Sequence, residues 1–333
     1  MMSLQNIYKY VSLILPLILM GSAGNAKAQS PPLTFMFYNV ENLFYPQDDS
    51  TTDADDDFTP AGIRKWTWNR YHNKTAQLCK IILGINGWEP PDVICFCEIE
   101  NRNVLTDIVN HQLLINYQYR VIHRESPDHR GMDVGMIYRE DRIACTDSGW
   151  IKMHHNGHLE HTREIMTAEF MFHVSNKEQD TLICFMNHWS SKYGGAIESQ
   201  PKRMTQASML IDSIDSIRAT YPERTIIAGG DFNERTTEPA CSRLSQKGSL
   251  REIVPSPEKG TYKYQGRWGR IDHVFMKDSC KKYDVSLTVW HHPFLLEADE
   301  KFTGDKPRRT YSGYAYNGGI SDHLPLLLKM VYR

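Results

Sequence analysis

Hydrophobic residues in this sequence cluster into short runs that alternate with longer segments of helical periodicity. Short apolar runs predict strands, and they cover 33–40, 92–98, 119–123, 134–138, 164–174, 181–186, 225–230 and 271–276. Apolar positions spaced three to four residues apart predict helices, over 69–85, over 101–115 and from Pro201 to Ile217. Strands that alternate with helices are typical of an α/β protein with layered sheets.

The strand predicted at 225–230 is followed directly by polar residues. Asp231 and Asn233 stand at positions i and i+2, so an extended backbone would direct both side chains to the same side. The carboxylate could accept a proton from a water while the amide holds that water or an anionic oxygen, a combination suited to hydrolysis of a phosphate ester. The alternative is a turn in which both side chains cap backbone groups.

Other predicted strands also end in polar side chains. Glu98 ends a strand buried on both faces, where a carboxylate is costly unless it is paired or bound to a cation. Comparable positions hold Asn39, His188, Asp272, Asp322 and His323. Loops at one edge of a layered sheet could gather these side chains into one cleft. A salt-bridged Glu98 and a turn-forming Asn39 are the structural alternatives.

Basic and aromatic residues in three loops are candidates for substrate binding. Arg130 lies in a charged connection and could face a phosphate or pair with Asp133. The loop after His188 contains glycines and is basic, as expected of an exposed site loop, and the segment 260–270 alternates aromatic with basic residues, which suits stacking and charge contacts with a polyanion. An ordinary hairpin explains the second pattern equally well. The candidates in these two segments are Trp189, Lys192, Tyr264, Arg267 and Trp268.

Length and composition indicate one large unit. The chain has 333 residues, of which 41% are hydrophobic, and no linker rich in proline, serine or glycine divides it. We therefore expect a single domain over 29–333. The formal net charge of −2 gives no global attraction to nucleic acid or anionic lipid. A phosphate-bearing substrate would have to be attracted by a local patch or a metal ion.

The first residues have the pattern of a secretory signal peptide. Lys9 precedes an apolar run from Val11 to Met20, and Ala26-Lys27-Ala28 is a small-x-small cleavage pattern. The run is roughly half of the ~20 residues that a membrane-spanning helix needs. We expect residues 1–28 to be cleaved near Ala28 and the protein to be exported to the periplasm or the medium, with no stable membrane span.

The segment 48–57 is unusually acidic. It contains Asp53, Asp55, Asp56 and Asp57 close together, so it could bind calcium, although it lacks the glycine and the terminal glutamate of an EF-hand loop. A solvated surface loop is the alternative.

In chain order, the strand-end residues match a known family pattern. Asn39, Glu98 and His188 are followed by Gly230-Asp231-Phe232-Asn233, Ile271-Asp272-His273 and Ser321-Asp322-His323. This order resembles the endonuclease/exonuclease/phosphatase superfamily with the DNase I-like fold, and it is most similar to the secreted bacterial branch. The resemblance covers residues 33–333.

The resemblance implies a four-layer α/β sandwich, in which two packed mixed β-sheets are flanked by helices. It also implies metal-assisted attack of water on phosphorus with Mg²⁺, Mn²⁺ or Ca²⁺. Glu98 would be the metal ligand, with Asn39 and Asp322 nearby as further ligands or as residues that hold a water. Asp231 would activate the attacking water, and Asn233 would position that water or the phosphate. His188 and His323 would contact the phosphate, with Asp272 as the carboxylate partner of His323. A further phosphate contact would come from the middle of the chain, from Arg130 or Tyr138.

We therefore expect an exported, divalent-metal-dependent phosphodiesterase of endonuclease type that acts on nucleic acid as a monomer. A phospholipid phosphodiesterase similar to sphingomyelinase, or a phosphomonoesterase of the same fold, is the first alternative. A binding module that has lost the chemistry is the second.

Overall fold

The computed structural model describes residues 31–49, 55–155, 157–175, 178–279 and 281–333. The predicted signal peptide lies outside the described residues. In chain order, the strands of the two main sheets are β1 (Leu33–Leu43), β2 (Val93–Ile99), β3 (Tyr119–His123), β4 (Asp133–Arg139), β5 (Ile143–Ile151), β6 (Ile165–Ser175), β7 (Glu178–His188), β8 (Thr225–Asp231), β9 (Arg251–Glu252), β10 (Asp272–Lys277), β11 (Tyr283–Val289) and β12 (Leu326–Tyr332).

The helices lie in the connections between these strands. They are α1 (Trp68–Gly84), α2 (Arg102–Val109), α3 (Ala196–Thr220) and α4 (Pro239–Gln246), with single 3₁₀ turns at Asp56–Phe58, Ile115–Tyr117 and Pro293–Leu295. Short two-stranded ribbons join His154–His155 with His158–Leu159, Tyr262–Tyr264 with Arg267–Gly269, Leu296–Ala298 with Asp305–Pro307, and Tyr311–Ser312 with Ala315–Tyr316. No helix among the described residues is long and apolar enough to cross a membrane.

Each main sheet has six strands and a mixed pattern. The first has the order β11-β12-β1-β2-β4-β3 and the second the order β5-β6-β7-β8-β10-β9. In each sheet the two central strands are parallel, β1 with β2 and β7 with β8, and every other pairing is antiparallel. The predicted α/β sandwich of two mixed sheets is confirmed.

The central strands are buried because both of their faces are covered. The inner faces of the sheets form the main core, where Phe35 of β1 meets Phe170 of β6 with ring centroids 6.5 Å apart. Outside the second sheet, α3 packs Leu210 and Ile214 against a second cluster that includes Ile226 of β8. Strands covered on both faces consist of nearly continuous apolar residues, which is why these runs stand out in the sequence.

The carboxyl ends of the four central strands carry the polar residues singled out above. Asn39 lies in β1, Glu98 in β2, His188 ends β7 and Asp231 ends β8. Within the second sheet, Asp231 lies opposite His188 on one side and opposite Asp272 of β10 on the other. The two sheets therefore bring their strand ends to one site.

Candidate active site

Asn39 links the carboxylates of the two sheets. Its Nδ2 donates hydrogen bonds of 3.1 Å to Glu98 Oε1 and of 3.1 Å to Asp231 Oδ2. Its Oδ1 accepts the backbone N–H of Glu41 at 3.0 Å, which fixes the orientation of the amide. Asn39 is therefore a hydrogen-bond donor between two carboxylates, and its role as a metal ligand or water holder stays a prediction.

Glu98 faces the cleft from the end of β2. Its φ of 62° lies in the left-handed region, and its Oε2 accepts the backbone N–H of Asn42 at 2.9 Å. Asp322 also lines the cleft, with its Oδ2 3.0 Å from Arg309 Nη2. Carboxylate oxygens are the ligands that Mg²⁺ and Ca²⁺ prefer. Glu98, Asp231 and Asp322 therefore offer the type of donor that a hard divalent cation prefers.

Asp231 is buried beside other charged groups. Its Oδ1 accepts the backbone N–H of Asn233 at 2.9 Å, and Asn233 donates from its side-chain amide to the carbonyl of Trp189 at 3.0 Å. Burial is the main cause that raises the pKa of Asp231 to about 7; the charge of His323 opposes this rise and the charge of Asp272 contributes to it. A carboxylate with a pKa near neutral is suited to accept a proton from water.

His323 is held by a buried carboxylate. Its Nδ1 lies 2.8 Å from Asp272 Oδ2, which also accepts the hydroxyl of Thr261 at 2.6 Å, and its Nε2 lies 3.9 Å from Asp231 Oδ2. Burial alone would lower the pKa of His323, but the charge and hydrogen bond of Asp272, together with the charge of Asp231, raise it well above its usual value. The imidazole is therefore kept protonated, as a cationic hydrogen-bond donor.

His188 has the opposite charge state. Its Nε2 lies 3.7 Å from Glu98 Oε1 and 3.9 Å from Asp231 Oδ2. Burial lowers its pKa well below the usual value, and the positive charges of Arg130 and His323 add to the effect. Two groups of the same type with pKa values pushed apart are a typical arrangement for dividing acid and base roles.

These residues form the floor of a cleft with a volume of about 980 Å³. Arg130 pairs with Asp128 at 3.3 Å and Lys192 with Glu238 at 2.6 Å, so both have part of their charge compensated. In the described part of the chain, Arg235 and Arg267 line the cleft without a carboxylate in salt-bridge range. Tyr264 is 63% exposed at the same rim, where its ring is free to stack.

Three aromatic residues do not have their predicted roles. Trp189 is completely buried and packs on Phe232 at 4.7 Å, so its assignment as a substrate contact is wrong. Trp268 is only partly buried, but it packs against the main core and against His291 at 5.4 Å, away from the cleft. Tyr138 packs beside the main core, so the mid-chain cleft residue is Arg130.

Several residues of the site were not identified from the sequence. Glu41 is buried, and its carboxylate accepts Arg309 Nε at 2.9 Å and the backbone N–H of Thr310 at 2.8 Å. Lys74 is buried below it and contacts both the Glu41 carbonyl and Thr310 Oγ1. Glu41 has a left-handed φ of 48° and lies where β1 is irregular, so strand periodicity does not predict its position. Lys74 and Arg309 likewise had no local signal.

The comparisons agree with this geometry. The family model described as Endonuclease/Exonuclease/phosphatase family matches residues 34–332. The catalytic domain of human Nocturnin with bound sulfate is 14% identical, covers 91% of this chain and 95% of its own, and superposes with a TM-score of 0.55. Truncated TDP2 from Caenorhabditis elegans is 15% identical, with coverages of 90% and 98% and a TM-score of 0.56.

A bacterial structure is equally similar. An endonuclease/exonuclease/phosphatase family protein from Bacteroides thetaiotaomicron is 14% identical, with coverages of 91% and 98% and a TM-score of 0.56. No curated protein is a significant match. At such low identities the structural likenesses establish the DNase I-like fold, and the family model accounts for nearly all of the described chain. The chain belongs to the endonuclease/exonuclease/phosphatase family.

Proposed function

We propose that this protein is an exported, divalent-metal-dependent phosphodiesterase that hydrolyses nucleic acid and acts as a monomer. The observation that supports it is the pairing of two carboxylates through Asn39, between histidines of opposite charge state, at the floor of one cleft. Export follows from the predicted signal peptide. The proposed single catalytic unit is 29–333.

The chemistry rests on four side chains. Asp231 accepts the proton of the attacking water, and Asn233, fixed by its bond to the Trp189 carbonyl, orients that water or a phosphate oxygen. Protonated His323 donates to a phosphate oxygen as negative charge develops. Neutral His188 lies beside the same carboxylates and lines the cleft, where it can hydrogen-bond the phosphate. As the bond from phosphorus to the leaving oxygen breaks, that oxygen takes a proton from His323.

A divalent cation would be held by Glu98 and Asp322. When bound, it would supply positive charge that offsets the charge of the phosphate. Carboxylate oxygens are clustered in the cleft, and the pKa of buried Asp231 is raised. A bound cation would reduce the repulsion between these carboxylates. Mg²⁺ is the proposed ion, and Mn²⁺ and Ca²⁺ have the same ligand preference.

The rim supports nucleic acid as the substrate. Arg235 and Arg267 provide positive charge outside any described salt bridge in a chain whose net charge is −2, and the exposed ring of Tyr264 lines the same cleft. Base stacking on an aromatic side chain combined with backbone charge contacts is typical of single-strand binding.

Plasmid nicking tests the proposal. The purified protein should nick plasmid with Mg²⁺, lose that activity with EDTA, and lose it in His323→Ala but not in His154→Ala, which changes an exposed histidine outside the cleft. No nicking with any divalent metal would reject the nuclease assignment. Hydrolysis of sphingomyelin vesicles or of a phosphomonoester by the same samples would then support the corresponding alternative, and no hydrolysis of any substrate would leave a binding module.

A further inference from the structure

A second group of acidic side chains lies outside the cleft, where the chain leaves β1 and β2. Asp55 and Glu100 are only 1% and 5% exposed. Asp48, Asp55 and Asp56 each present one carboxylate oxygen within 4.8 Å of the others. None of these four residues lines the cleft.

One oxygen of each buried carboxylate is satisfied and the other is not. Asp55 Oδ2 accepts the backbone N–H of Asp49 at 2.9 Å, and Glu100 Oε2 accepts the backbone N–H of Tyr45 at 2.6 Å. Asp55 Oδ1 and Glu100 Oε1 are buried and accept no hydrogen bond from the part of the chain that the structure describes.

The two carboxyl groups also lie within hydrogen-bonding reach of each other. Neither forms an ion pair with a lysine or arginine of the described ranges. Buried carboxylate oxygens are normally satisfied, and two such groups side by side require a shared proton or a cation.

We propose that Asp55 and Glu100, together with Asp48 and Asp56, bind a calcium ion that is separate from the catalytic metal. All of the donors are hard carboxylate oxygens. Softer metals, which prefer thiolate or imidazole ligands, therefore do not match this site. They come from an irregular loop and a strand end, and Ca²⁺ accepts irregular oxygen cages more readily than Mg²⁺, which requires near-octahedral geometry and retains its waters.

The ion would attach the segment after β1 to the end of β2. Asp55 begins the 3₁₀ turn Asp56–Phe58, and Phe58 stacks on Phe44 at 4.3 Å, so the loop is already packed against the core on its other side. Glu100 stands two residues after Glu98. Calcium binding would therefore stabilise the connection that supports the metal-binding strand end.

Thermal melting with CaCl₂ as the only added metal tests the site. Relative to chelated protein, millimolar CaCl₂ should raise Tm by about 5 °C or more, since ligand binding to the native state alone stabilises it. Glu100→Gln and Asp55→Asn should each abolish the rise. Asp57→Asn is the matched control, because it removes a charge from the same loop but not from the cluster, and it should keep the rise.

Two further samples separate this site from the catalytic site and from misfolding. Glu98→Gln should keep the calcium-induced rise. Without calcium, Glu100→Gln should melt at or above the wild-type temperature, because it removes repulsion between buried carboxylates, which also establishes that the variant is folded.

The proposal is overturned if the wild type shows no rise, as expected of a carboxyl pair that shares a proton. It is overturned equally if the rise survives in both Glu100→Gln and Asp55→Asn, or disappears in Glu98→Gln alone. Because melting is the readout, a negative nicking result leaves this test unaffected.

Discussion

Asp231 is the residue at which stability and catalysis oppose each other. Its carboxylate is buried, and its pKa is raised to about 7 chiefly by desolvation. Asp231→Asn removes the charge but replaces one acceptor oxygen with a donor that faces Asn39 Nδ2 or the Asn233 N–H. We expect kcat to fall by about 10²–10⁴-fold, with only a small change in Tm, because relief of the buried charge offsets the lost hydrogen bond. Asp284→Asn, at an exposed carboxylate in β11, is the control and should change neither. A large fall in Tm for Asp231→Asn would mean that the carboxylate is mainly structural.

The pair of Asp272 and His323 predicts a pH dependence. Asp272 raises the pKa of His323, so the imidazole stays protonated below that raised value and loses its proton only as the pH rises through it. Asp272→Asn removes the cause, and the alkaline limb of the kcat profile should move to lower pH. The measurement is the pH profile of kcat for Asp272→Asn. Thr261→Val is measured beside it, because it changes the other hydrogen-bond partner of Asp272. An unmoved alkaline limb would contradict the assignment of His323 as the cationic donor.

At this scale the sequence identified residues that stand at the ends of apolar runs. Asp231 and His323 were found because strand ends are recognisable. Arg309 was missed because its partner Glu41 is 268 residues away, and no local pattern encodes such a contact. Trp189 was misassigned because it follows a strand into a polar loop, yet its backbone N–H bonds to the Asp231 carbonyl at 2.9 Å and keeps the ring in the core.

At the level of elements, the strands with continuous apolar runs were predicted, and two half-exposed strands were not. Ile143–Ile151 and Tyr283–Val289 alternate between buried and exposed positions and lack a continuous apolar run, so neither was predicted. The helix expected over 101–115 ends at Val109, where Asn110 caps it. Pro201 lies near the start of its helix, as expected, although the helix begins five residues earlier, at Ala196. Boundaries of this kind depend on tertiary contacts.

The two sheets pack so closely at Gly229 that a larger residue there should destabilise the protein. A Cβ added at Gly229 in β8 would lie 2.3 Å from the ring of Phe37, which is buried in β1 of the other sheet. Gly229→Ala should therefore lower the free energy of unfolding by about 1–3 kcal/mol through overpacking. Gly84→Ala is the control, since its nearest neighbours are atoms of Trp290 at an ordinary 3.8 Å. Equal denaturant midpoints for the two variants would contradict close packing of the sheets at this point.

The whole molecule has a net charge of −2, but the rim of the cleft is basic. We therefore expect the binding of nucleic acid to depend on the rim and to weaken as the salt concentration rises. Each phosphate contact contributes about −0.9 to the slope of log affinity against log salt for duplex DNA. In an Asp231→Asn background, which prevents turnover, Arg267→Ala should weaken binding of a labelled oligonucleotide and make the slope less steep by about 1. Arg333→Ala, whose side chain pairs with Asp284, should leave both unchanged. Fluorescence anisotropy over a range of salt concentrations measures both quantities.

The strand orders of the two sheets have a consequence for the origin of the chain. Strands β1–β6 belong to the first half of the chain and β7–β12 to the second. If each strand is replaced by its counterpart in the other half (β1 by β7, β2 by β8, and so on), the strand order of the first sheet becomes that of the second. The main-sheet strands and helices of the described chain thus repeat one eight-element order, β-α-β-α-β-β-β-β, and each half contributes its last two strands to the sheet of the other. Such an exchange is the architecture of a domain-swapped homodimer fused into one polypeptide. Each half would lack two strands of its own sheet when alone, so separately expressed halves should fold only on mixing, and the catalytic groups would assemble on the pseudo-dyad that relates them.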